Sequence, residues 1–308
     1  MPSTKPLIVI TGPTAVGKTK LAVRLAARIG AEIINADSRQ VYRSMDIGTG
    51  KDLAEYEVNG RQIPHHLINI CDPGYEYNIK EYQEDFHQVY KELQSKETNI
   101  ILCGGSGLYI ESALEGNPYA FIPIDHSLRA ELADESKSRL LMRLSEITRE
   151  KLNITSLTTH KRLVRAVEID EYLKTEETLP KPQPLAAKIY VLTVERRLVM
   201  ERILERLHYR LQNGLIEEVE GLLKQGVSPE KLIYYGLEYR WITLYLLKQM
   251  TYDEMVERLN ISIRQFAKRQ MTWFRRMAKK GYDLTWLDGT KDFSELSEQI
   301  AFENGIKG

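Results

Sequence analysis

The octapeptide from Gly12 to Thr19 constrains the fold of this chain more than any other segment. Its residues are Gly12, Pro13, Thr14, Ala15, Val16, Gly17, Lys18 and Thr19, and they match G-x-x-x-x-G-K-[ST] at every fixed position. In this pattern the backbone N–H groups and the start of the following helix point at phosphate oxygens, and the lysine adds a positive charge. An apolar run precedes the octapeptide and a helical pattern follows it. We therefore predict a P-loop that binds a diphosphate or a nucleotide.

The last residue of this loop predicts a metal cofactor. The Thr19 hydroxyl is in the position that ligates Mg²⁺ in such loops, where the ion bridges phosphate oxygens and keeps several waters. The motif alone does not name a reaction, because kinases, ATPases and other diphosphate users share it. Binding of ATP therefore stays open at this point.

The rest of the pattern predicts an α/β fold with a parallel sheet, a P-loop NTPase-like core. Short apolar runs end at turn residues and alternate with helical periodicity, at 7–10, 32–35, 100–103 and 189–194. Residues 118–188 differ, because prolines bound them and helical patterns dominate between. We predict a catalytic core of 1–117 and 189–308 with a helical C-terminal region, and a helical insertion domain over 118–188.

Polar residues at the predicted strand ends are candidates for the chemistry, because ligands of parallel sheets bind at that edge. Asp37 follows the second strand and is interpreted as a Mg²⁺ ligand, a general base or a helix-capping turn residue. Ser106 lies in a glycine-rich turn after the third strand and could hydrogen-bond a ligand. Arg202 and Arg206 share a helix face, where they either reach an oxyanion or pair with neighbouring glutamates.

The charge of the chain is balanced overall but uneven along it. The formal net charge is +0, which argues against a generally basic nucleic-acid-binding surface. Basic residues nevertheless outnumber acidic ones over 137–165, and residues 261–280 contain no Asp or Glu at all. The second stretch also carries Phe266, Trp273 and Phe274. Aromatic rings among basic residues suit either the binding of RNA backbone and stacked bases or an amphipathic helix with a solvent-exposed basic face. Both interpretations stay open.

Other residues give expectations of a plainer kind. Cys71 and Cys103 lie beside apolar runs without metal-ligand spacing and are expected to be buried thiols. His65 and His66 are placed in a loop, with no metal or catalytic role. There is no stretch of about 18 apolar residues and no signal-peptide pattern, so we expect a cytoplasmic protein without a membrane partner.

Several blocks together resemble the bacterial tRNA dimethylallyltransferases, also called tRNA isopentenyltransferases. The matching blocks are 12–19, Asp37-Ser38-Arg39-Gln40-Val41-Tyr42, 45–49, Pro64-His65-His66-Leu67, 72–73, 104–109, 162–168, Tyr239-Arg240 and 264–273. They span roughly residues 7 to 290 in the family's order and are specific as a set. One departure is Gly50-Lys51-Asp52, where the common pattern is Ala-Lys-Pro.

The resemblance implies transfer of a dimethylallyl group from dimethylallyl diphosphate to N6 of the adenosine 3′ to the anticodon, in tRNAs that read codons beginning with U. It makes Asp37 the base for the amine proton, and the P-loop, Lys18, Mg²⁺ and Arg206 the holders of the departing diphosphate. Ser106 stands where the family usually has a threonine against the target adenine. We expect a monomer that binds the tRNA anticodon stem-loop, with the insertion domain on the anticodon stem.

The resemblance also assigns tRNA contacts residue by residue. They are Asp37, Ser38, Arg39, Gln40, Ser106, Arg129, Lys161, Arg162, Leu163, Val164, Arg165, Tyr235, Gly236, Leu237, Glu238, Tyr239 and Arg240. Three rival functions remain: a small-molecule kinase, a non-catalytic RNA-binding module, and prenylation of free adenine nucleotides. The insertion and the basic stretch near the C-terminus favour the larger acceptor.

Overall fold

The computed structural model describes residues 6–152, 159–175, 178–180 and 182–306. Parts of the predicted core and insertion, at 1–5, 153–158, 176–177, 181 and 307–308, lie outside the described residues. The chain divides into two compact units. Unit 1 comprises Met1–Glu115 and Pro184–Gly308, and unit 2 comprises Gly116–Gln183.

Strands lie in unit 1. They are β1 (Leu7–Thr11), β2 (Ala31–Asn35), β3 (Glu57–Val58), β4 (Arg61–Gln62), β5 (His65–His66), β6 (Asn99–Gly104), β7 (Ala187–Thr193) and β8 (Leu284–Asp288). Six of them form a sheet in the order β5-β2-β6-β1-β7-β8, and every neighbouring pair in it is parallel. β3 and β4 form a separate antiparallel pair. The predicted parallel α/β core is confirmed.

The helices of unit 1 connect and cover these strands. They are α1 (Lys18–Ile29), α2 (Ile79–Ser95), α3 (Gly107–Glu115), α8 (Arg196–Gln212), α9 (Leu215–Lys224), α10 (Pro229–Tyr235), α11 (Leu237–Leu246), α12 (Tyr252–Lys279) and α13 (Phe293–Glu303). A 3₁₀ turn spans Leu53–Tyr56. None of the helices in the described ranges has an apolar run that could span a bilayer.

Successive side chains along each strand point to opposite faces of the sheet, and both faces are covered by apolar packing. In β1, Ile8 and Ile10 pack into one hydrophobic cluster, whereas Leu7 and Val9 pack into the other. The first cluster also contains buried residues of α1, α8, α9 and α13, and the second contains those of α2 and α3. A strand buried on both faces reads as a continuous apolar run, which is why β1 was predictable from sequence.

Unit 2 is helical in its described part. Its helices are α4 (His126–Glu131), α5 (Lys137–Arg143), α6 (Glu146–Lys151) and α7 (His160–Leu173), after a 3₁₀ turn at Pro118–Phe121. Each of the four has a side-chain N-cap, from Asp125, Ser136, Ser145 and Thr159 respectively. A small cluster that includes Leu132, Leu140, Leu163 and Val167 forms the core of this unit.

Two expectations were wrong. His65 and His66 do not lie in a loop, since they form β5 and pair with Ile33 and Ile34 at the edge of the sheet. A two-residue strand contains too little pattern to be recognised from sequence. Cys71 is only partly buried, whereas Cys103 is buried as expected, and burial raises the pKa of the Cys103 thiol to about 12.

Candidate active site

The octapeptide forms a tight loop of the P-loop type between β1 and α1. Gly17 has φ 90°, and a Cβ at this position would lie 2.6 Å from the Phe293 ring, so both the backbone angle and the packing require glycine. Ala15 also has a positive φ, of 66°. These angles turn the chain sharply just before Lys18, the first residue of α1. The start of a helix and a charged lysine therefore face the same space, the arrangement that binds phosphate.

Lys18 is a cation without a carboxylate partner in the described structure. Its Nζ donates to the carbonyl of Pro13 at 2.8 Å, inside the loop itself. Desolvation lowers the Lys18 pKa to about 8, with opposing contributions from Cys103 and Asp37, which raise it. A desolvated ammonium held by one neutral carbonyl gains free energy when an anion arrives, so this site favours a bound phosphate.

Asp37 sits immediately beyond the carboxyl end of β2. Asn35 fixes it there, because the Asn35 side chain donates to the Asp37 carbonyl at 3.0 Å and accepts from the Asp37 N–H at 3.1 Å. One carboxylate oxygen of Asp37 accepts the N–H of Arg39 at 2.9 Å. The carboxylate is thereby oriented without being neutralised by an ion pair, which leaves it able to take a proton from a ligand.

Ser106 lies between strand ends rather than on a cavity wall. Its Oγ accepts the backbone N–H of Ser38 at 3.1 Å, and its own N–H donates to the Ala36 carbonyl at 3.1 Å. Ser106 is thus hydrogen-bonded to Ala36 and Ser38, the two residues that flank Asp37, and does not line the cavity.

Arg206 joins α8 to the P-loop. Its guanidinium donates a hydrogen bond to the Thr14 hydroxyl. Desolvation, and secondly the nearby Arg210, lowers the Arg206 pKa below its usual range. Arg210, one turn further along α8, lies 3.7 Å from the Glu238 carboxylate. Arg210 was not among the predicted site residues, although its spacing of four from Arg206 places both on one helix face.

Gln270 is the residue that sequence analysis missed most clearly. Its Oε1 accepts the N–H of Thr14 at 2.9 Å and its Nε2 donates to the carbonyl of Gly105 at 2.9 Å. Gln270 is buried. It therefore connects the P-loop to the glycine turn after β6, although Gln270 lies 256 positions from Thr14 in sequence. A glutamine inside a basic helix gives no sign of such a role, and only the tertiary contact shows it.

A cavity at the carboxyl edge of the sheet collects most of these groups. From the P-loop and α1 it is lined by Thr14, Ala15, Gly17, Lys18 and Thr19, and from the β2 side by Asn35, Asp37, Arg39 and Gln40. Its other polar or charged lining residues include Thr49, Asp52, Glu55, Arg206, Arg210, Glu238 and Gln270. The loop that would bind phosphate and the candidate base thus open into one space.

The predicted tRNA-contact residues of α10 and α11 divide between this cavity and the surface. Tyr235, Gly236, Leu237, Glu238 and Tyr239 line the cavity, and burial raises the pKa of Glu238. Arg240 is exposed and lies over the Trp241 ring at 5.2 Å. On the β2 side, Arg39 lies over the rings of Tyr234 and Tyr235 at 5.9 and 5.5 Å.

In unit 2 the predicted tRNA-contact residues have three different environments. Glu168, which is buried, accepts two hydrogen bonds from Arg129 at 2.6 and 2.8 Å and one from Arg165 at 3.0 Å. Arg165 also donates to the carbonyls of Tyr119, Ile122 and Pro123. Leu163 and Val164 are buried in the core of the unit. Lys161 and Arg162 are exposed at the start of α7.

A parallel sheet with a phosphate loop after β1 and a cavity at its carboxyl edge defines a P-loop NTPase-like protein. The family model for IPP transferase matches residues 40–277. A tRNA dimethylallyltransferase 1 of Parabacteroides distasonis is 49% identical over 92% of this chain and 92% of its own length. A tRNA dimethylallyltransferase 2 of Bacteroides fragilis is 49% identical over 94% of each chain.

Solved structures agree with these sequences. The full-length tRNA isopentenylpyrophosphate transferase from Bacillus halodurans has a TM-score of 0.71 at 30% identity and covers 98% of this chain and 97% of its own. That from Staphylococcus epidermidis has a TM-score of 0.69 at 28% identity, covering 97% and 98%. The chain therefore belongs to the IPP transferase family, whose members are prenyltransferases. The predicted resemblance and the P-loop NTPase-like fold are confirmed.

Proposed function

We propose that this protein transfers the dimethylallyl group of dimethylallyl diphosphate to N6 of the adenosine 3′ to the anticodon in tRNAs reading codons that begin with U. The observation that carries this proposal is that Asp37 and the P-loop line one cavity. A phosphate loop alone would serve any diphosphate user. A free carboxylate beside it supplies the base that a weakly nucleophilic amine needs.

The cations of the cavity hold the leaving group. Lys18 and Arg206 line the cavity, together with the P-loop residues and the start of α1. In the reaction the C–O bond between the allylic carbon and the diphosphate breaks, and the electron pair leaves with the diphosphate. Positive groups preorganised around the diphosphate stabilise the charge that develops there. The P-loop in this protein therefore stabilises a leaving group and does not present a phosphoryl group for attack.

Asp37 takes the proton. The N6 lone pair of adenine is delocalised into the ring, so attack on the allylic carbon becomes favourable as a base removes an N6 proton. One new N–C bond forms, one C–O bond breaks, and the proton moves to the Asp37 carboxylate. The hydrogen bond from Arg39 N–H to Asp37, at 2.9 Å, holds one carboxylate oxygen and leaves the other for the proton.

The residues of the cavity fit a magnesium ion carried in with the diphosphate. Thr19 supplies a hydroxyl oxygen on the P-loop side of the cavity, and no cluster of three His, Cys, Asp or Glu side chains that could hold an ion by itself occurs in the described residues. This donor set suits an ion that keeps several waters and phosphate oxygens. Thr19 would hold the ion, which supplies further neutralisation of the diphosphate charge.

The target adenosine must unstack from the neighbouring bases of the anticodon loop to reach Asp37, as bases do in enzymes that modify them. The resemblance supports tRNA contacts by residues 37–40, Ser106, Arg129, residues 161–165 and residues 235–240, with the helical insertion against the anticodon stem. In that insertion Lys161 and Arg162 have exposed side chains that suit phosphates. We propose that the protein acts as a monomer in the cytoplasm, where its tRNA substrate is found.

Mass spectrometry of the tRNA tests this function. Purified protein, Mg²⁺, dimethylallyl diphosphate and an unmodified tRNA of the stated class are incubated, and the anticodon-loop fragment is expected to gain one dimethylallyl group. A matched tRNA with guanosine at the target position is the control and should stay unchanged. An unchanged mass of the adenosine tRNA, or consumption of ATP with a phosphorylated metabolite, would contradict the proposal.

A further inference from the structure

Glu218, in the first turn of α9, binds a run of backbone amides outside its own helix. One of its carboxylate oxygens accepts the N–H groups of Asp46 and Ile47 at 2.8 and 2.7 Å. The other oxygen accepts the N–H of Gly48 at 3.0 Å. Three consecutive amides that converge on one anion form a nest, and a carboxylate is the side chain that matches it.

The same carboxylate also binds a residue of the cavity wall. The oxygen that accepts from Gly48 accepts the Tyr239 hydroxyl at 2.8 Å. Tyr239 is buried, and a Cβ on residue 48 would lie 2.7 Å from its ring and hydroxyl, so glycine is needed for the two to pack. Glu218 itself is not among the lining residues of the cavity, whereas Gly48 and Tyr239 are.

The loop that Glu218 holds belongs to the Asp37 side of the cavity. Gly48, Thr49 and Gly50 line the cavity, and the Gly50 carbonyl accepts from Gln40 Nε2 at 3.5 Å. Gln40 follows Asp37 by three residues and lines the same wall. The four hydrogen bonds of Glu218 thus fix a wall beside the candidate base, and none of them reaches the P-loop.

We propose that Glu218 is a positioning residue that shapes the acceptor side of the cavity by tying residues 46–48 to Tyr239. This inference rests on the proposed function, because it assumes that the Asp37 side receives the target nucleotide. The carboxylate offers enough lone pairs for four donors. A glutamine amide offers one oxygen and brings a donor, so it leaves part of the nest unpaired.

The decisive variant is Glu218→Gln, measured against Glu217→Gln. Glu217 is the neighbouring residue of the same helix turn and is exposed, so its variant matches the loss of charge. For Glu218→Gln we expect the KM for tRNA to rise about tenfold, as for the loss of a charged hydrogen bond. The Kd for diphosphate, measured by calorimetry, should stay within about twofold of the wild type, since the P-loop is untouched.

Comparison of the KM for tRNA with the Kd for diphosphate distinguishes a positioning role of Glu218 from a folding defect. Loss of folded protein alone would lower the number of diphosphate sites and leave the KM for tRNA unchanged. If Glu218→Gln does not fold, Glu218→Asp keeps the charge but shortens the side chain that reaches the nest, and it should raise the KM in the same direction, with Glu217→Asp as its control. Unchanged KM in Glu218→Gln, or in Glu218→Asp where that variant decides, overturns the inference. Inactivity of the wild-type protein on tRNA would instead contradict the proposed function.

Discussion

Arg206 donates a hydrogen bond to the Thr14 hydroxyl, and through it α8 meets the P-loop at the wall of the cavity. The contact brings a cation from residue 206 to a loop that β1 and α1 hold in place. Two parts of the chain that are distant in sequence thus bring cationic groups to one cavity. The donor diphosphate should therefore depend on α8 as well as on the P-loop.

Replacement of Arg206 by methionine should weaken diphosphate binding. Loss of a hydrogen bond from a charged donor costs about 1.5 to 3 kcal/mol, or about tenfold to a hundredfold in Kd. Calorimetric titration with diphosphate and Mg²⁺ measures this. Arg202→Met removes the same charge one turn earlier on α8, outside the cavity lining, and should bind within about twofold of the wild type. Equal weakening in the two variants would show that Arg206 acts only through overall charge.

Binding of diphosphate should depend on pH through Lys18. Its pKa is lowered to about 8 in the free protein, chiefly by desolvation, and a bound anion raises it again. The charged form binds, so affinity is insensitive to this group well below pH 8 and falls as pH rises above it, by up to about tenfold per pH unit. Titrations across this range check the slope.

The matched variant for this test is Lys18→Arg, because a guanidinium stays charged throughout. Its titrations also contain the ionisation of diphosphate itself, so the difference between the two proteins isolates Lys18. Parallel pH profiles for the two proteins would contradict a lowered Lys18 pKa.

Gln270 should matter for both stability and binding. Gln270→Leu leaves the Thr14 N–H and the Gly105 carbonyl without their partner, each at a cost of about 1 to 3 kcal/mol. A lower thermal midpoint and weaker diphosphate binding are therefore expected together, measured by calorimetry. Gln265→Leu changes an exposed glutamine of the same helix and should shift stability by no more than about 0.5 kcal/mol. A Gln270→Leu protein as stable as this control would contradict the account.

Local patterns predicted those parts of the site that depend on neighbours in sequence. The P-loop was predictable because strand, loop and helix follow one another from Leu7 to Ile29. The position of Asp37 followed from the end of β2. The contact from Gln270 to Thr14 and the nest around Glu218 could not be predicted, because each joins segments more than a hundred residues apart through tertiary packing.

Helix α12, which contains most of the basic stretch 261–280, shows the same limit of prediction from sequence. From the sequence, residues 265–276 suit either an RNA-binding surface or an amphipathic helix with an exposed basic face. In the structure Phe274 is fully buried in the core and Lys268 and Arg275 are exposed on α12. Trp273 packs under Arg276, whose guanidinium lies 3.9 Å from the ring centre. The helix is amphipathic, and its exposed cations remain candidates for tRNA phosphates.

The central claim is that Asp37 removes the N6 proton beside a diphosphate held by the P-loop. Asp37→Asn tests it most directly, because the amide oxygen can still accept the Arg39 N–H while the base is lost. Asp283→Asn, on the exposed surface before β8, is the matched control. In single-turnover prenylation of tRNA, Asp37→Asn should be about a hundredfold to ten-thousandfold slower than the wild type, with tRNA affinity within about twofold. A rate close to that of Asp283→Asn would contradict the account.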